Sequence, residues 1–261
     1  MAEVVFATTR HVYDSYSDWR ALVRLSGYDL VFVDEIDAYD PTKCYILTPL
    51  NGEWEQGWPD AKATIIHWDL EWRMDGPYPQ IPGVARTWTS DRWYATRTST
   101  EYVPLGSHPG LADDSGHDLP KQYDLAMLAY MGPPRRQQVA NDCLAKGLTL
   151  APNAWSEARD QTLKQSRAML HVHQHEGVNT VAPGRVALAA AYRLPYFTET
   201  ITDPGIFGTT HWLMSDRAHM ADFVHMWLRT SGQGHLQDIG HALHRLLCQR
   251  YTFRVCVEAA L

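Results

Sequence analysis

The residues of this 261-residue chain best suited by type and spacing to do chemistry are arginines that follow glycine-rich turns. Arg135 and Arg136 come directly after Gly132, Pro133 and Pro134, where a helix is expected to open. A guanidinium in that place can fork onto phosphate oxygens, although a solvated basic turn would have the same composition. Arg185 has a similar setting. The stretch 168–199, AMLHVHQHEGVNTVAPGRVALAAAYRLPYFTE, reads as a buried strand at 168–173 and a loop holding Gly177, Pro183 and Gly184. A small-residue helix opening near Arg185 follows, then a strand at 196–199 that ends in Glu199. A loop between a strand end and a helix start aims unpaired N–H groups and a partial positive charge at whatever lies above the sheet, and a phosphate suits that place. Gly177 would let the backbone approach such a ligand, as a plain turn would also require.

His171, His173 and His175 alternate, so on an extended segment they share one face. With Glu176 beside them they can suggest zinc, but spacing supplies no second ligand cluster, and no metal is expected. His173 alone is the candidate for contact with a bound ligand, the alternative being satisfied core or edge histidines. Asn153 stands after an expected strand end, where it can meet a base edge or serve as a turn residue and helix cap. In HWDLEW (67–72), Asp69, with Glu71 and Glu35 behind it, has the chemistry of a general base taking a proton from a hydroxyl. A surface carboxylate is the plain alternative.

The elements that must position these groups are short apolar runs at 4–7, 29–33, 44–47, 64–67 and 84–88, with a helix at 17–25 stopped by Gly27. After a Pro-, Gly-, Ser- and Asp-rich stretch at 101–118 the alternation restarts. It runs through a strand at 124–130, a helix at 135–146, a strand at 148–151 and a helix at 156–165. Helices from 215 or 216 to 229 and from 236 toward 251 follow the stretch 168–199, separated by SGQG. Strands alternating with helices predict parallel sheets with a ligand crevice at the strand ends.

Composition sets outer limits. A formal net charge of −7 gives no bulk electrostatic reason to expect nucleic acid, though a local basic groove is compatible with it. Four widely spaced cysteines suggest neither a disulfide framework nor a zinc knuckle. With no charged leader and no apolar run of the ~18 residues a membrane span needs, the expectation is a reduced, cytoplasmic protein.

Five motifs, in order, resemble the GT-B glycosyltransferases, particularly the branch related to spore-maturation proteins. They are VPLGSHP (103–109), AYMGPPRRQ (129–137), QSRAMLHVHQHEG (165–177), APGRVALAAAYRLPYFTE (182–199) and RYTFRVCVEAAL (250–261). The resemblance implies an α/β protein of two Rossmann-like domains facing a central cleft. An acceptor domain would occupy 1–107 and a nucleotide-sugar domain 108–240, with a helix at 241–261 returning to the first. It implies a hexosyltransferase with a nucleotide sugar, UDP-sugar first, as co-substrate and no tightly bound cofactor. Donor-binding residues would be Gly132, Arg135, Arg136, Asn153, His173, Gly177, Arg185 and Glu199. Asp69, Glu71 and His173 would serve catalysis. The chain departs from the family where Leu188 and Thr180 stand in the place of two glutamates, so the ribose contact is expected from Glu199 or from elsewhere, and the stereochemical outcome is not carried over. The short length resembles compact viral enzymes that glycosylate hydroxymethylated pyrimidines in DNA. That acceptor, in a host cytoplasm, requires a basic groove from Arg73, Arg86, Arg92 and Arg97, with Arg73 and Arg92 as its principal contacts. The alternatives are a small-molecule, polysaccharide or protein acceptor, or a non-catalytic nucleotide-binding module.

Overall fold

The computed structural model describes residues 2–15, 17–48, 57–58, 60–70, 80–112, 119–154, 156–178, 180–203, 205–207, 213–230 and 233–261. The chain divides into two compact units, Met1–Gly106 with Phe253–Leu261, and Ser107–Thr252.

The first unit contains β1 (Glu3–Thr8), α1 (Arg10–Ser15), α2 (Ser17–Leu25), β2 (Asp29–Phe32) and β3 (Lys43–Leu47). It continues with β4 (Thr64–Asp69), β5 (Arg86–Thr89), α3 (Arg92–Ala95) and β6 (Glu101–Tyr102). Its strands form one parallel sheet in the order β2-β1-β3-β4-β5-β6. Parallel strands are covered on both faces, which is why KCYIL and TIIHW read as nearly unbroken apolar runs. On one face Val5, Ala7, Tyr45, Leu47 and Ile65 form a cluster. The alternate residues Phe6 and Trp68 meet Trp19, Tyr28, Trp88 and Phe253 in an aromatic cluster. Phe253 opens the C-terminal helix (Phe253–Ala260) and stacks on Trp68 at 5.6 Å, so that helix is part of the first unit's core.

The second unit contains β7 (Tyr123–Ala126), α4 (Pro134–Ala145), α5 (Ser156–Lys164), β8 (Ser166–His171) and α6 (Pro183–Ala191). Then come β9 (Tyr196–Glu199), β10 (Leu213–Ser215), α7 (Met220–Thr230) and α8 (Gln233–His244). The sheet is parallel in the order β10-β9-β8-β7, and Leu150 adds a single parallel bridge to Leu125 on the outer side of β7. At the amino end of β7, buried Asp124 accepts from Thr149 N–H (2.9 Å), Arg167 Nη1 (3.0 Å) and Arg229 Nη2 (3.0 Å). Burial pushes that carboxyl's pKa up, but the Thr149 and arginine donors outweigh it and hold it below the usual value.

The expected strand at 124–130 ends at Ala126. Its tail, although apolar and buried at Met127, Leu128 and Ala129, gives carbonyls to side chains instead of to a neighbouring strand. Residues 101–102, read as connector, form β6, and only Leu150 pairs within the expected strand 148–151. The expected final helix is two helices. A π-helical turn (Arg245–Arg250) ends the first of them, and Thr252 then pairs with Ser107 before the second begins.

The run of small residues in α6 has a physical reason. Val186 to Ala191 are all at most 1% exposed, and a helix buried on every side can seat closely only with short side chains. Gly240 of α8 approaches so near that a Cβ there would stand 2.0 Å from the Arg193 carbonyl oxygen. Gly240→Ala is therefore expected to destabilise the second unit by about 2 kcal/mol, read as a shift of the urea midpoint.

Candidate anion-binding site at the switch point of the second sheet

From β7 the chain runs out to Leu150 on one side and then returns to β8 on the other. In a doubly wound sheet, ligands bind where the loops leaving two adjacent strands part in opposite directions, here at the carboxyl ends of β7 and β8. The loop after β7 leads into α4 and the loop after β8 into α6. Both helices have proline at the first position and no side-chain N-cap. The N–H groups of Arg136 and Arg185 bond to Pro133 O and Ala182 O, which leaves one early N–H in each helix, at Arg135 and Gly184, for an outside acceptor.

Arg136 is 7% exposed and ties these loops together: its Nε donates to Val172 O and its Nη1 to Tyr130 O, each at 2.9 Å. Arg135, one residue earlier, donates from Nη2 to Glu199 Oε1 (2.5 Å), and the other Glu199 oxygen accepts from His173 N–H (2.6 Å). Arg135 Nε and Nη1 are buried without an acceptor, and His173 Nε2 is buried without a hydrogen-bond partner. Buried donors left unpaired cost about 1–3 kcal/mol each, so this arrangement is suited to a partner rich in oxygen.

Electrostatics marks the same place. The Arg136 guanidinium is held below its usual pKa by burial, then by Arg185 and Arg135, with only Glu199 opposing. Burial first, then Arg135 and Arg136, push His173 down to about 4. His171, packed edge-on against His173 at 5.1 Å, is pushed well below its usual value by burial, by His173 and by Arg185 and Arg136. The guanidiniums of Arg135 and Arg185 therefore act on that of Arg136, and the three reach one or both of two imidazoles held neutral, with Glu199 opposing them at Arg136.

The other sequence candidates fall as follows. Gly177 has φ +79°, and no atom lies within 4 Å of a Cβ built there. Asn153 does not cap a helix through its amide nitrogen: Nδ2 donates to Ala129 O (2.7 Å) and fastens its segment to the β7–α4 loop. His175 and Glu176 are exposed, Glu176 lying 3.7 Å from Arg217, so the histidine triplet does not share one face. The alternation fails because the strand stops at His171. Among the described residues no group of three His, Cys, Asp or Glu could hold a metal ion.

In the first unit Asp69 ends β4 and is 2% exposed. Glu71 and Arg73 lie outside the described residues. Arg86 pairs with Glu101 (Nε to Oε1, 2.9 Å), Arg97 lies over the Trp93 ring at 3.5 Å, and Arg92 is exposed. Asp34 and Glu35 both pair with Arg10.

Two parallel α/β sheets in separate units, with the C-terminal helix in the first, define a GT-B fold. Among solved structures the chain is similar to AviGT4, a glycosyltransferase involved in avilamycin A biosynthesis. The TM-score is 0.58 at 12% identity, over 100% of this chain and 96% of that one. It is also similar to the pneumococcal O-GlcNAc transferase GtfA in complex with UDP and GlcNAc, with TM-score 0.54 at 11% identity, over 87% of this chain and 57% of that one. No protein-family model and no curated protein matches the sequence.

Proposed function

We propose that this protein is a glycosyltransferase that moves a sugar from a nucleoside-diphosphate sugar, UDP-sugar first, to a hydroxyl acceptor. The observation that carries the reading is the convergence of Arg135, Arg136 and Arg185 on the switch point, with two guanidinium nitrogens of Arg135 left without a protein acceptor. Such a cluster suits a leaving diphosphate, whose charge grows as the bond from the sugar C1 to the phosphate oxygen breaks. The helix N-termini of α4 and α6 add N–H donors. Neutral His173, as its Nε2–H tautomer, donates to an oxygen of the nucleotide sugar, and Gly177 lets main chain come close. As the acceptor oxygen bonds to C1, its proton passes to a carboxylate, for which Asp69 has the right chemistry. The likeness to AviGT4 and to the UDP-bound GtfA supports a nucleotide sugar as the donor class. No described helix is long and apolar enough to cross a membrane. Of the four arginines of the basic groove, Arg86 and Arg97 are engaged with Glu101 and Trp93, so a DNA acceptor gains no support from them.

Calorimetric titration with UDP and assay of UDP release from UDP-sugars test the reading. Arg135→Ala should weaken UDP binding roughly ten- to a hundredfold, the range of charge-assisted hydrogen bonds. A wild-type protein that binds no nucleoside diphosphate overturns it. Binding without release identifies a non-catalytic nucleotide-binding module, the alternative that Leu188 in the usual glutamate position favours.

A further inference from the structure

The cluster of arginines serves phosphates but offers no flat apolar surface for a nucleotide's heterocycle. Beside it stands Tyr130, which is 68% exposed while its predecessors Met127, Leu128 and Ala129 are all buried. We propose that the Tyr130 ring is the stacking platform for the base of the bound nucleotide; this rests on the donor-site reading above.

The ring's placement is built from both sides. The Tyr130 carbonyl accepts from Arg136 Nη1, and the same guanidinium holds Val172, the neighbour of His173, so the tyrosine's backbone is anchored at the phosphate cluster. Asn153 holds the preceding carbonyl, Ala129 O, at 2.7 Å, which brings the 153 segment alongside. The ring itself lies against Gly132: a Cβ at that position would stand 2.4 Å from ring Cζ. Glycine at 132 thus leaves room for the aromatic ring, which keeps most of its surface exposed. A tyrosine has only two side-chain torsions to fix, so a ring held this way loses little freedom when a base stacks on it.

Calorimetry with UDP, GDP, ADP and inorganic pyrophosphate tests the inference. Stacking on an aromatic side chain corresponds to about a fivefold to hundredfold change in affinity. Tyr130→Ala should therefore weaken the best-bound of the three nucleotides by that factor and leave pyrophosphate unchanged, while Tyr130→Phe keeps wild-type affinity for both. Gly132→Ala, which pushes the ring aside, should reduce the preference for that nucleotide over pyrophosphate in the same sense. Equal losses for nucleotide and pyrophosphate in Tyr130→Ala, or no loss for either, overturn the platform. So does a wild-type protein that binds pyrophosphate as tightly as every nucleotide. Failure of the wild type to bind any of the four probes overturns the donor site itself and the platform with it.

Discussion

Arg136→Ala should lower the melting temperature of the second unit by about 10 °C. The side chain is buried and donates to Val172 O and Tyr130 O, carbonyls from two different loops. Each charge-assisted bond contributes about 1.5–3 kcal/mol, and neither carbonyl gains a new donor when the guanidinium is deleted. A loss of about 3–5 kcal/mol corresponds to roughly 10 °C in a domain of ~150 residues. Arg136→Lys should recover less than half of it, because an ammonium is a point charge and cannot span both acceptors as the planar fork does. Differential scanning calorimetry of the three proteins decides the matter, and a melting point for Arg136→Ala within about 3 °C of wild type would sink the account. The same substitution releases the loops of Tyr130 and Val172 from each other, so nucleotide affinity should fall with it.

The second large effect is in the pH dependence of stability. His173 is pushed from 6.5 to about 4 in the folded protein, by burial and by Arg135 and Arg136. Because the folded value lies below the unfolded one, the unfolded chain takes up the proton first, and stability must fall as pH drops from 6.5 to 4. The shift corresponds to about 3 kcal/mol, all of it present above pH 6.5 and lost by pH 4. His171, shifted in the same direction, adds to the slope. Asp124, held below 3.8, loses its contribution only at more acid pH and so stays out of this window. Urea unfolding of wild type and His173→Gln, followed from about pH 7 to about pH 4, should show the profile of the variant flattened by about 3 kcal/mol. Parallel profiles for the two proteins would show that His173 is not held neutral by its surroundings. A bound diphosphate neutralises part of the arginine field, so UDP should raise the His173 pKa and bind with uptake of protons near pH 5 to 6, a pH range of roughly that order from linkage.

Much of the fold was legible because parallel strands buried on both faces leave a local trace. YFTE at 196–199 is β9 residue for residue, and five runs in the first hundred residues fall within one or two positions of β1 to β5. The β9 strand lies between Pro195 and the stretch after Glu199, and its four residues are buried throughout. Elsewhere the trace misled. Residues 127–129 are as apolar as any strand and are buried, yet they run as a loop into exposed Tyr130, and Asn153 and Arg136 take the carbonyls of Ala129 and Tyr130 that a neighbouring strand would have used. Thr252 interrupts an otherwise helical run because it pairs with Ser107, far away in sequence.

For the candidate site, residue type and spacing alone determined that Arg135, Arg136 and Arg185 each follow a turn suited to an anion, and that Glu199 ends a strand. Those are properties of a few consecutive residues and their backbone preferences. Folding brings Arg135 and Arg185 to bear on Arg136, makes Arg136 a buried strut while Arg135 keeps nitrogens free of acceptors, and lets Glu199 grip Arg135 and His173; none of this can be read from neighbouring residues. The difference has one physical cause. Hydrogen bonds such as those from Arg136 to Val172 and from Arg135 to Glu199 depend on where the sheet order β10-β9-β8-β7 places distant loops, and that order is a consequence of the packed core.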